Sequence, residues 1–180
     1  KKFEREFNNI SLIQSSVNSG KGGAISLSVN YLDTDFVVVH DADLEYNPTD
    51  LIEMYHLAIN NPEYLILGTR FVGNKKRKNI YKRTYFANQF LSTFFSIIHS
   101  KKITDVATCY KMMSTSNFKK IEISEKGFAV EIEILSKFLK IKNDVIELPI
   151  DYSGRSYQEG KKIKLMDGFK YLYSIVKYRF

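Results

Sequence analysis

Residues 36–46 read Phe-Val-Val-Val-His-Asp-Ala-Asp-Leu-Glu-Tyr, an apolar run that ends in three acids at alternate positions. The apolar part, residues 36–39, is typical of a strand buried on both faces in a parallel sheet. In the following segment Asn47 suits a helix cap and Pro48 suits the first helical position. We therefore expect the acids at the carboxyl edge of a parallel strand, where open α/β sheets bind their ligands.

The three acids, Asp41, Asp43 and Glu45, offer carboxylate oxygens at short spacing. Mg²⁺ prefers such hard oxygen ligands and usually leaves other coordination positions to water and phosphate. An Asp-x-Asp pair after a buried strand therefore suits a metal-bridged diphosphate. The alternative is an acidic turn that caps the next helix, and the spacing alone does not separate the two.

The composition describes a folded, basic protein. Its 180 residues are 44% hydrophobic and 14% aromatic, which is enough for one domain with a core. The formal net charge of +7 attracts phosphates, nucleic acids or anionic lipids without choosing among them. The single cysteine, Cys109, excludes an intramolecular disulfide and favours a reducing compartment. We find no signal peptide and no apolar run of about 18 residues that would span a membrane.

Apolar and amphipathic segments alternate along the chain, which predicts an α/β fold with a mostly parallel sheet and flanking helices. We predict one domain, residues 1–180, because the sequence has no internal repeat and no linker. Pro149 places the last strand at an edge or bulge, and the basic loop 73–82 is the best candidate for a mobile segment. The predicted strands are residues 11–15, 36–40, 65–68, 103–105, 109–113 and 145–152. The predicted helices are residues 24–31, 48–60, 81–100, 128–141 and 165–178.

Three motifs are candidates for phosphate binding. Gly20-Lys21-Gly22-Gly23 makes a cationic helix entrance whose amides can meet a phosphate, although it lacks the Walker A pattern. Gly68-Thr69-Arg70 ends a predicted strand, so Arg70 should emerge at the same sheet edge as Asp43. Residues 154–162 place cations on a loop that can close over a pyrophosphate. The structural alternatives are a turn with positive φ, an arginine paired with an acid, and a solvated basic turn.

Two helical features leave their roles open. Glu131 and Glu133 begin a predicted helix, where one can face the cleft or both can complement the helix dipole. The aromatic helix around residues 86–98 can belong to the core or, with the basic loop before it, can touch lipid. No zinc-binding spacing exists among the three histidines, His40, His56 and His99.

Six motifs follow one another in a specific order. They are Gly20-Lys21-Gly22 with Ala24, Asp41-Ala42-Asp43-Leu44-Glu45-Tyr46, Gly68-Thr69-Arg70-Phe71, Thr104-Asp105 with Thr108-Cys109-Tyr110-Lys111, Phe128 with Glu131 and Glu133, and Gly154-Arg155-Ser156-Tyr157 with Glu159-Gly160-Lys161-Lys162-Ile163. In this order they resemble the family-2 glycosyltransferases, specifically the branch similar to dolichol-phosphate mannose synthase. The match runs from about residue 10 to the C-terminus. It implies a GT-A-type nucleotide-diphospho-sugar transferase fold.

The resemblance also implies an activity, the inverting transfer of a sugar from a nucleoside-diphosphate sugar to a polyprenyl phosphate. The implied ligands of Mg²⁺ or Mn²⁺ on the donor diphosphate are Asp41, Asp43 and Glu45. The implied catalytic residues are Asp43, Arg70 and Arg155. The implied phosphate ligands are Lys21, Arg70, Arg83, Arg155, Lys161 and Lys162, with Arg83 on the acceptor. Candidate sugar or acceptor contacts are Glu131 and Glu133.

A phosphate acceptor is already anionic, so the implied mechanism needs alignment and charge stabilisation and no strong base. We expect a cytoplasmic protein in peripheral contact with the membrane and no nucleic-acid partner.

The sequence departs from the family pattern at its start, where the first strands, with Pro-x-Tyr-Asn-Glu-like and Asp-Asp-Gly-Ser-like motifs, are absent. We therefore expect an N-terminally incomplete fold. The alternatives are transfer to a glycan hydroxyl with Glu131 as base, a nucleic-acid-binding module using residues 75–78 and 161–164, and a truncated, non-catalytic relic.

Overall fold

The computed structural model describes residues 6–142, 144–155 and 165–180, and the side chains of residues 165–167 are not described. The helices are α1 (Gly20–Ser28), α2 (Asp50–Asn60), α3 (Lys82–His99), α4 (Thr115–Phe118), α5 (Val130–Ile141) and α6 (Leu165–Lys177), with a 3₁₀ turn at Val29–Tyr31. The strands are β1 (Phe36–Val38), β2 (Leu65–Thr69), β3 (Arg77–Lys78), β4 (Lys111–Ser114), β5 (Val145–Pro149) and β6 (Tyr152–Ser153).

The main sheet has four strands in the order β1-β4-β2-β5. Strands β2 and β5 are parallel, whereas β4 is antiparallel to both β1 and β2. Strands β1, β2 and β5 therefore run in one direction, as predicted, and β4 is the reversed strand between them. Because of this direction, the carboxyl ends of β1, β2 and β5 lie at the same edge of the sheet.

Both faces of the sheet are covered by hydrophobic side chains. Along β2, Leu65 and Leu67 pack into one cluster with helices α3, α5 and α6, while Ile66 belongs to the opposite cluster with α2. All three side chains are fully buried, which follows from the alternation of side chains along a strand. Strand β2 thus has the buried, central position that its apolar sequence predicts.

Strand β1 differs from its prediction. Its residues are half-buried, not buried on both faces, because within the described residues β1 pairs only with β4 and forms an edge. Pro149 ends β5 at the opposite edge of the sheet, which confirms the edge position expected from a proline.

Two predicted strands are wrong. The described residues 11–15 form no strand and are mostly exposed. Residues 103–105 also form none, because their backbone amides bond to side chains instead of to a neighbouring strand. The amide of Ile103 donates to Ser96 Oγ at 3.0 Å, and that of Thr104 donates to Glu147 at 2.8 Å.

A second, two-stranded sheet joins β3 to β6 in parallel, with Arg77 opposite Tyr152 and Lys78 opposite Ser153. Strand β3 lies inside the basic loop 73–82 that the sequence marks as a mobile segment. The pairing brings this loop to the segment that leads to Arg155, next to the carboxyl end of β1.

Candidate functional site

The three acids follow β1 in a tight turn. The carboxylate of Asp43 accepts a hydrogen bond from the amide of Glu45 at 3.2 Å, which closes the turn. Leu44, between them, has a φ of 62°, a conformation that non-glycine residues seldom adopt. Strain of this kind persists only where the surroundings impose it, and it is frequent in functional sites.

Arg155 reaches this turn from the other side of the site. Its guanidinium lies 2.8 Å from Asp43 and 3.2 Å from Glu45, and its amide donates to Glu45 at 2.9 Å. The hydroxyl of Tyr152 donates to the second carboxylate oxygen of Glu45 at 2.7 Å. The structure therefore brings Arg155 to the acids, and its action on the donor phosphates stays a prediction.

Lys21, at the start of α1, lies between two carboxylates. Its ammonium is 2.7 Å from Asp41 and 2.6 Å from Glu131. Burial disfavours the charged lysine, but the two carboxylates outweigh it and hold the pKa of Lys21 above its ordinary value. In this structure Lys21 is engaged in fixing Asp41, so its predicted role as a phosphate ligand is not supported by its contacts.

Glu131 is part of the same network. Its carboxylate is buried, lies 2.6 Å from the fully buried ammonium of Lys111, and contacts Lys21 on its other side. Burial raises the cost of ionising Glu131, but the two lysines prevail and lower its pKa. Glu131 is therefore an ion-paired carboxylate, which does not suit the base required for transfer to a hydroxyl.

The carboxylate of Glu133 is buried and holds the loop that precedes α5. Its side chain is fully buried and accepts hydrogen bonds from the amides of Ser124 and Glu125, each at 2.8 Å. It also pairs with Lys137 at 2.7 Å, one turn along α5. These contacts occupy the carboxylate and fix the loop before α5, so they do not support a contact of Glu133 with sugar or acceptor.

Arg70 forms a buried pair with Asp105. The guanidinium contacts the two carboxylate oxygens at 2.7 Å each, and the backbone amide of Arg70 donates to the same carboxylate at 3.0 Å. The aromatic rings of Tyr46 and Tyr152 lie against the guanidinium. Burial opposes the charge, but Asp105 prevails and raises the pKa of Arg70. Arg70 thus holds the end of β2 to the 104–105 loop, and its phosphate contact stays a prediction.

The remaining predicted cations are not joined to the acids by described contacts. Arg83 lies exposed in the first turn of α3, and Lys161 and Lys162 are outside the described residues. Their roles stay predictions.

The fit of a divalent cation can be judged from the donor atoms. Asp41 and Asp43 provide hard carboxylate oxygens at the half-exposed turn, which suit Mg²⁺ or Mn²⁺. Glu45 fits less well than Asp43, because one of its oxygens accepts two hydrogen bonds from Arg155 and the other accepts from Tyr152, whereas each oxygen of Asp43 accepts one. The part of the chain that the structure describes contains no group of three acids, histidines or cysteines arranged around a metal position. The predicted metal thus rests on Asp41 and Asp43.

Sequence reasoning assigned no role to several residues that build the site. Asp105 neutralises Arg70, Lys111 neutralises Glu131, and Tyr152 orients Glu45. Asp105 and Lys111 stand within the motifs that carry the family resemblance, and that was the available signal. Tyr152 precedes its motif by two positions, and nothing in the local sequence pointed to its hydroxyl.

Comparison with known families decides the class of the protein. The profile of the family described as Glycosyl transferase family 2 matches residues 1–122, about two thirds of the chain. The chain belongs to glycosyltransferase family 2. This membership confirms the predicted family and the predicted class of enzyme, a glycosyltransferase.

One similar curated protein is UDP-N-acetylglucosamine–dolichyl-phosphate N-acetylglucosaminyltransferase from Methanococcus voltae. It is 28% identical over 171 residues, which cover 91% of this chain and 67% of the relative. A similar solved structure is glucosyl-3-phosphoglycerate synthase from Mycobacterium tuberculosis in complex with uridine diphosphate, with a TM-score of 0.64 and 12% identity. The match covers 98% of this chain and 59% of that chain. The structural likeness confirms the predicted GT-A-type fold.

None of the helices among the described residues combines the length and the apolar character needed to cross a membrane.

Proposed function

We propose that this family-2 glycosyltransferase transfers a sugar from a nucleoside-diphosphate sugar to a polyprenyl phosphate. The observation that carries the proposal is the meeting of Asp43 and Arg155 at the carboxyl end of β1. A donor diphosphate needs a metal ligand and a cation at one place, and these two residues supply both. The name of the Methanococcus relative supports a dolichyl-phosphate acceptor and makes UDP-N-acetylglucosamine the first donor to test.

Asp41 and Asp43 would hold the divalent cation, and Lys21 keeps Asp41 in place for that task. A bound Mg²⁺ or Mn²⁺ would offset the charge of the diphosphate leaving group. Arg155 adds a second positive charge next to Asp43, and its guanidinium can bind a phosphate through two hydrogen bonds. The residues of the site therefore orient the donor and stabilise the charge that develops on it.

The ion pairs of the Glu131 carboxylate favour a phosphate over a hydroxyl as the acceptor. A hydroxyl acceptor needs a carboxylate base, and Glu131 is already paired with Lys21 and Lys111. A phosphate acceptor is anionic at neutral pH and needs only alignment with the donor. Transfer to a glycan hydroxyl is therefore the less supported alternative.

Exposed apolar side chains on α6 support a peripheral contact with membrane. Phe169, Tyr173 and Val176 recur at helical spacing on α6 and are 60%, 67% and 41% exposed, and Phe180, just beyond the helix, is 93% exposed. The packed neighbour of this helix, α3, also exposes Phe86 and Phe90. Residues 71–102 contain several lysines and arginines and no acid, which suits an anionic lipid surface.

The donor site is tested by calorimetry of UDP and GDP binding, with and without Mn²⁺. We expect binding that requires Mn²⁺ and is lost in Asp43→Asn, while Asp33→Asn, at an exposed acid, binds like the wild type. Nucleotide binding that is equally strong in Asp43→Asn would overturn the donor assignment.

The membrane contact is tested by flotation with vesicles of anionic or neutral phospholipid. We expect flotation with anionic vesicles only, reduced in the double variant Phe169→Ser/Tyr173→Ser. Tyr31→Ser removes an aromatic side chain of similar exposure, 61%, elsewhere on the surface and should not change flotation. Equal flotation of the double variant and the wild type would contradict this contact surface.

A further inference from the structure

Lys76, just before strand β3, and Lys78, the last residue of β3, lie on either side of Arg77 in the sequence. The amide of Lys76 donates to the Asp151 carboxylate at 2.8 Å, and its carbonyl accepts from the amide of Tyr152 at 3.0 Å. The carbonyl of Lys78 accepts from the amide of Gly154 at 3.1 Å. The guanidinium of Arg77, between the two lysines, turns away to the carbonyls of Val72 and Gly73. Because side chains alternate along a strand, Lys76 and Lys78 share the opposite face.

This face borders a groove of about 210 Å³. The lining combines the two lysines with the side of the acidic turn and with strand β6, and comprises Leu44, Glu45, Tyr46, Asn47, Lys76, Lys78, Asp151, Tyr152 and Ser153. Glu45 lines the groove and also accepts from Arg155, and Tyr152, another lining residue, donates to Glu45. The groove therefore adjoins the position that the proposed function gives to the donor diphosphate.

The charges of the groove favour an anion. Lys75 pairs with Asp50 and Glu53, but Lys76 and Lys78 have no ion pair with any carboxylate of the described residues. The lining also holds two carboxylates, that of Glu45, which contacts Arg155, and that of Asp151. The Asp151 carboxylate accepts from the amide of Lys76 and from Asn47 at 3.4 Å, and these hydrogen bonds, with that from Lys76 foremost, lower its pKa. Glu45 and Asp151 are thus engaged with Arg155 and with amide donors, whereas Lys76 and Lys78 offer two ammonium groups to an anion.

The rim of the groove is apolar on one side. Leu44 has a φ of 62° and is 87% exposed, so its strained backbone presents a large apolar side chain to solvent. A leucine gains nothing from this position in the isolated protein, because its hydrophobic surface stays in water. A ligand with an apolar part next to its anionic part would cover it.

We propose that this groove binds the phosphate of a prenyl monophosphate, with Lys76 and Lys78 on the phosphate and Leu44 on the first part of the chain. The inference rests on the proposed function, which supplies a lipid phosphate as acceptor. It assigns the acceptor phosphate to Lys76 and Lys78 at β3, a different place from Arg83 at the start of α3. The acceptor then lies beside the Asp43–Arg155 pair.

The test uses farnesyl phosphate as the probe, titrated calorimetrically into the protein at constant ionic strength. One charge-assisted hydrogen bond lost in Lys76→Gln or Lys78→Gln should weaken binding about tenfold. Lys140→Gln, at an exposed lysine outside the groove, removes the same charge and should bind like the wild type. Thermal unfolding of each variant checks that the fold is retained.

A second experiment distinguishes binding of a lipid phosphate from binding of free inorganic phosphate. Leu44→Asn keeps a residue that tolerates positive φ but removes the apolar side chain. It should weaken farnesyl phosphate binding several-fold and leave inorganic phosphate binding unchanged. Equal loss for both probes would overturn the role of Leu44.

The outcomes distinguish this inference from the proposed function. Transfer to farnesyl phosphate with an unchanged KM in both lysine variants would overturn the groove and leave the function standing. Lysine-dependent binding of farnesyl phosphate without any sugar transfer would support the groove and contradict the function. Absence of farnesyl phosphate binding to the wild type would overturn the groove.

Discussion

The guanidinium of Arg155 lies 2.8 Å from the carboxylate of Asp43, although 112 positions separate the two residues in the sequence. Glu45 strengthens this contact, because it accepts from the amide and the side chain of Arg155. Burial works against ionisation of Glu45, but the hydrogen bonds from Arg155 and Tyr152 outweigh it and lower its pKa. The pair therefore consists of charged groups held at the edge where the proposed donor binds.

Replacement of Arg155 tests its predicted action on phosphate. We expect Arg155→Ala to weaken binding of UDP in the presence of Mn²⁺ about tenfold, since a charge-assisted hydrogen bond to phosphate is lost. Arg179→Ala removes an exposed arginine at the C-terminus and serves as the matched control. Unchanged UDP affinity in Arg155→Ala, measured by calorimetry, would contradict the assignment.

Replacement of Arg70 separates a structural role from a role in binding. Arg70→Lys cannot reproduce the two parallel contacts to Asp105, whose side chain is fully buried. Because it leaves a buried carboxylate poorly paired, we expect the free energy of unfolding to fall by about 3 kcal/mol. Denaturant titration measures this loss, with Arg83→Lys at an exposed position as control. A stable Arg70→Lys variant that no longer binds nucleotide would show that Arg70 acts on phosphate instead.

Glu131→Gln tests the buried network. The variant leaves Lys111 buried without a carboxylate partner, which should lower the free energy of unfolding by about 3 kcal/mol. It also removes the second partner of Lys21, so metal-dependent UDP binding should weaken without being abolished. Glu122→Gln, at an exposed acid in the loop between α4 and α5, is the control. A complete loss of sugar transfer in a variant of wild-type stability would restore Glu131 as a candidate base.

The same network predicts how stability depends on pH. The pKa of Glu131 is lower in the folded protein than its ordinary value of 4.5. Its contribution to stability is therefore fully present above about pH 4.5 and is lost as the pH falls through the lower, folded pKa. We expect the free energy of unfolding to decrease below pH 4.5 less steeply in Glu131→Gln than in the wild type. Parallel acid titrations of the two proteins would refute this if the slopes agreed.

The sequence predicted those parts of the site that follow from neighbouring residues or from the family resemblance. The apolar run before Asp41 and Asp43 placed these acids at a strand end, and the resemblance implied that Arg155 acts on the same diphosphate. The sequence did not predict the reversed direction of β4, because Lys111–Ser114 is apolar at its centre and carries no local signal of direction.

Two of the predicted phosphate ligands make contacts that the sequence did not predict, and the physical reason is the same for both. Lys21 and Arg70 are cations in motifs that suit phosphate, but each meets a carboxylate from a distant segment, Glu131 or Asp105. Whether a charged side chain faces a ligand or a buried partner depends on tertiary packing, which spacing along one chain does not contain. Fully buried Glu133 illustrates the same limit, since an acid in the first turn of a helix usually complements the dipole at the surface.

The central claim is sugar transfer to a lipid phosphate, and mass spectrometry of the lipid product tests it most directly. The protein is incubated with dolichyl phosphate, Mg²⁺ and, separately, UDP-N-acetylglucosamine, UDP-glucose or GDP-mannose. We predict that one donor gives the glycosylated lipid phosphate with the wild type and none does with Asp43→Asn. A protein that binds nucleotide with metal but forms no lipid-linked sugar from any donor, or an Asp43→Asn variant that turns over normally, would contradict the account.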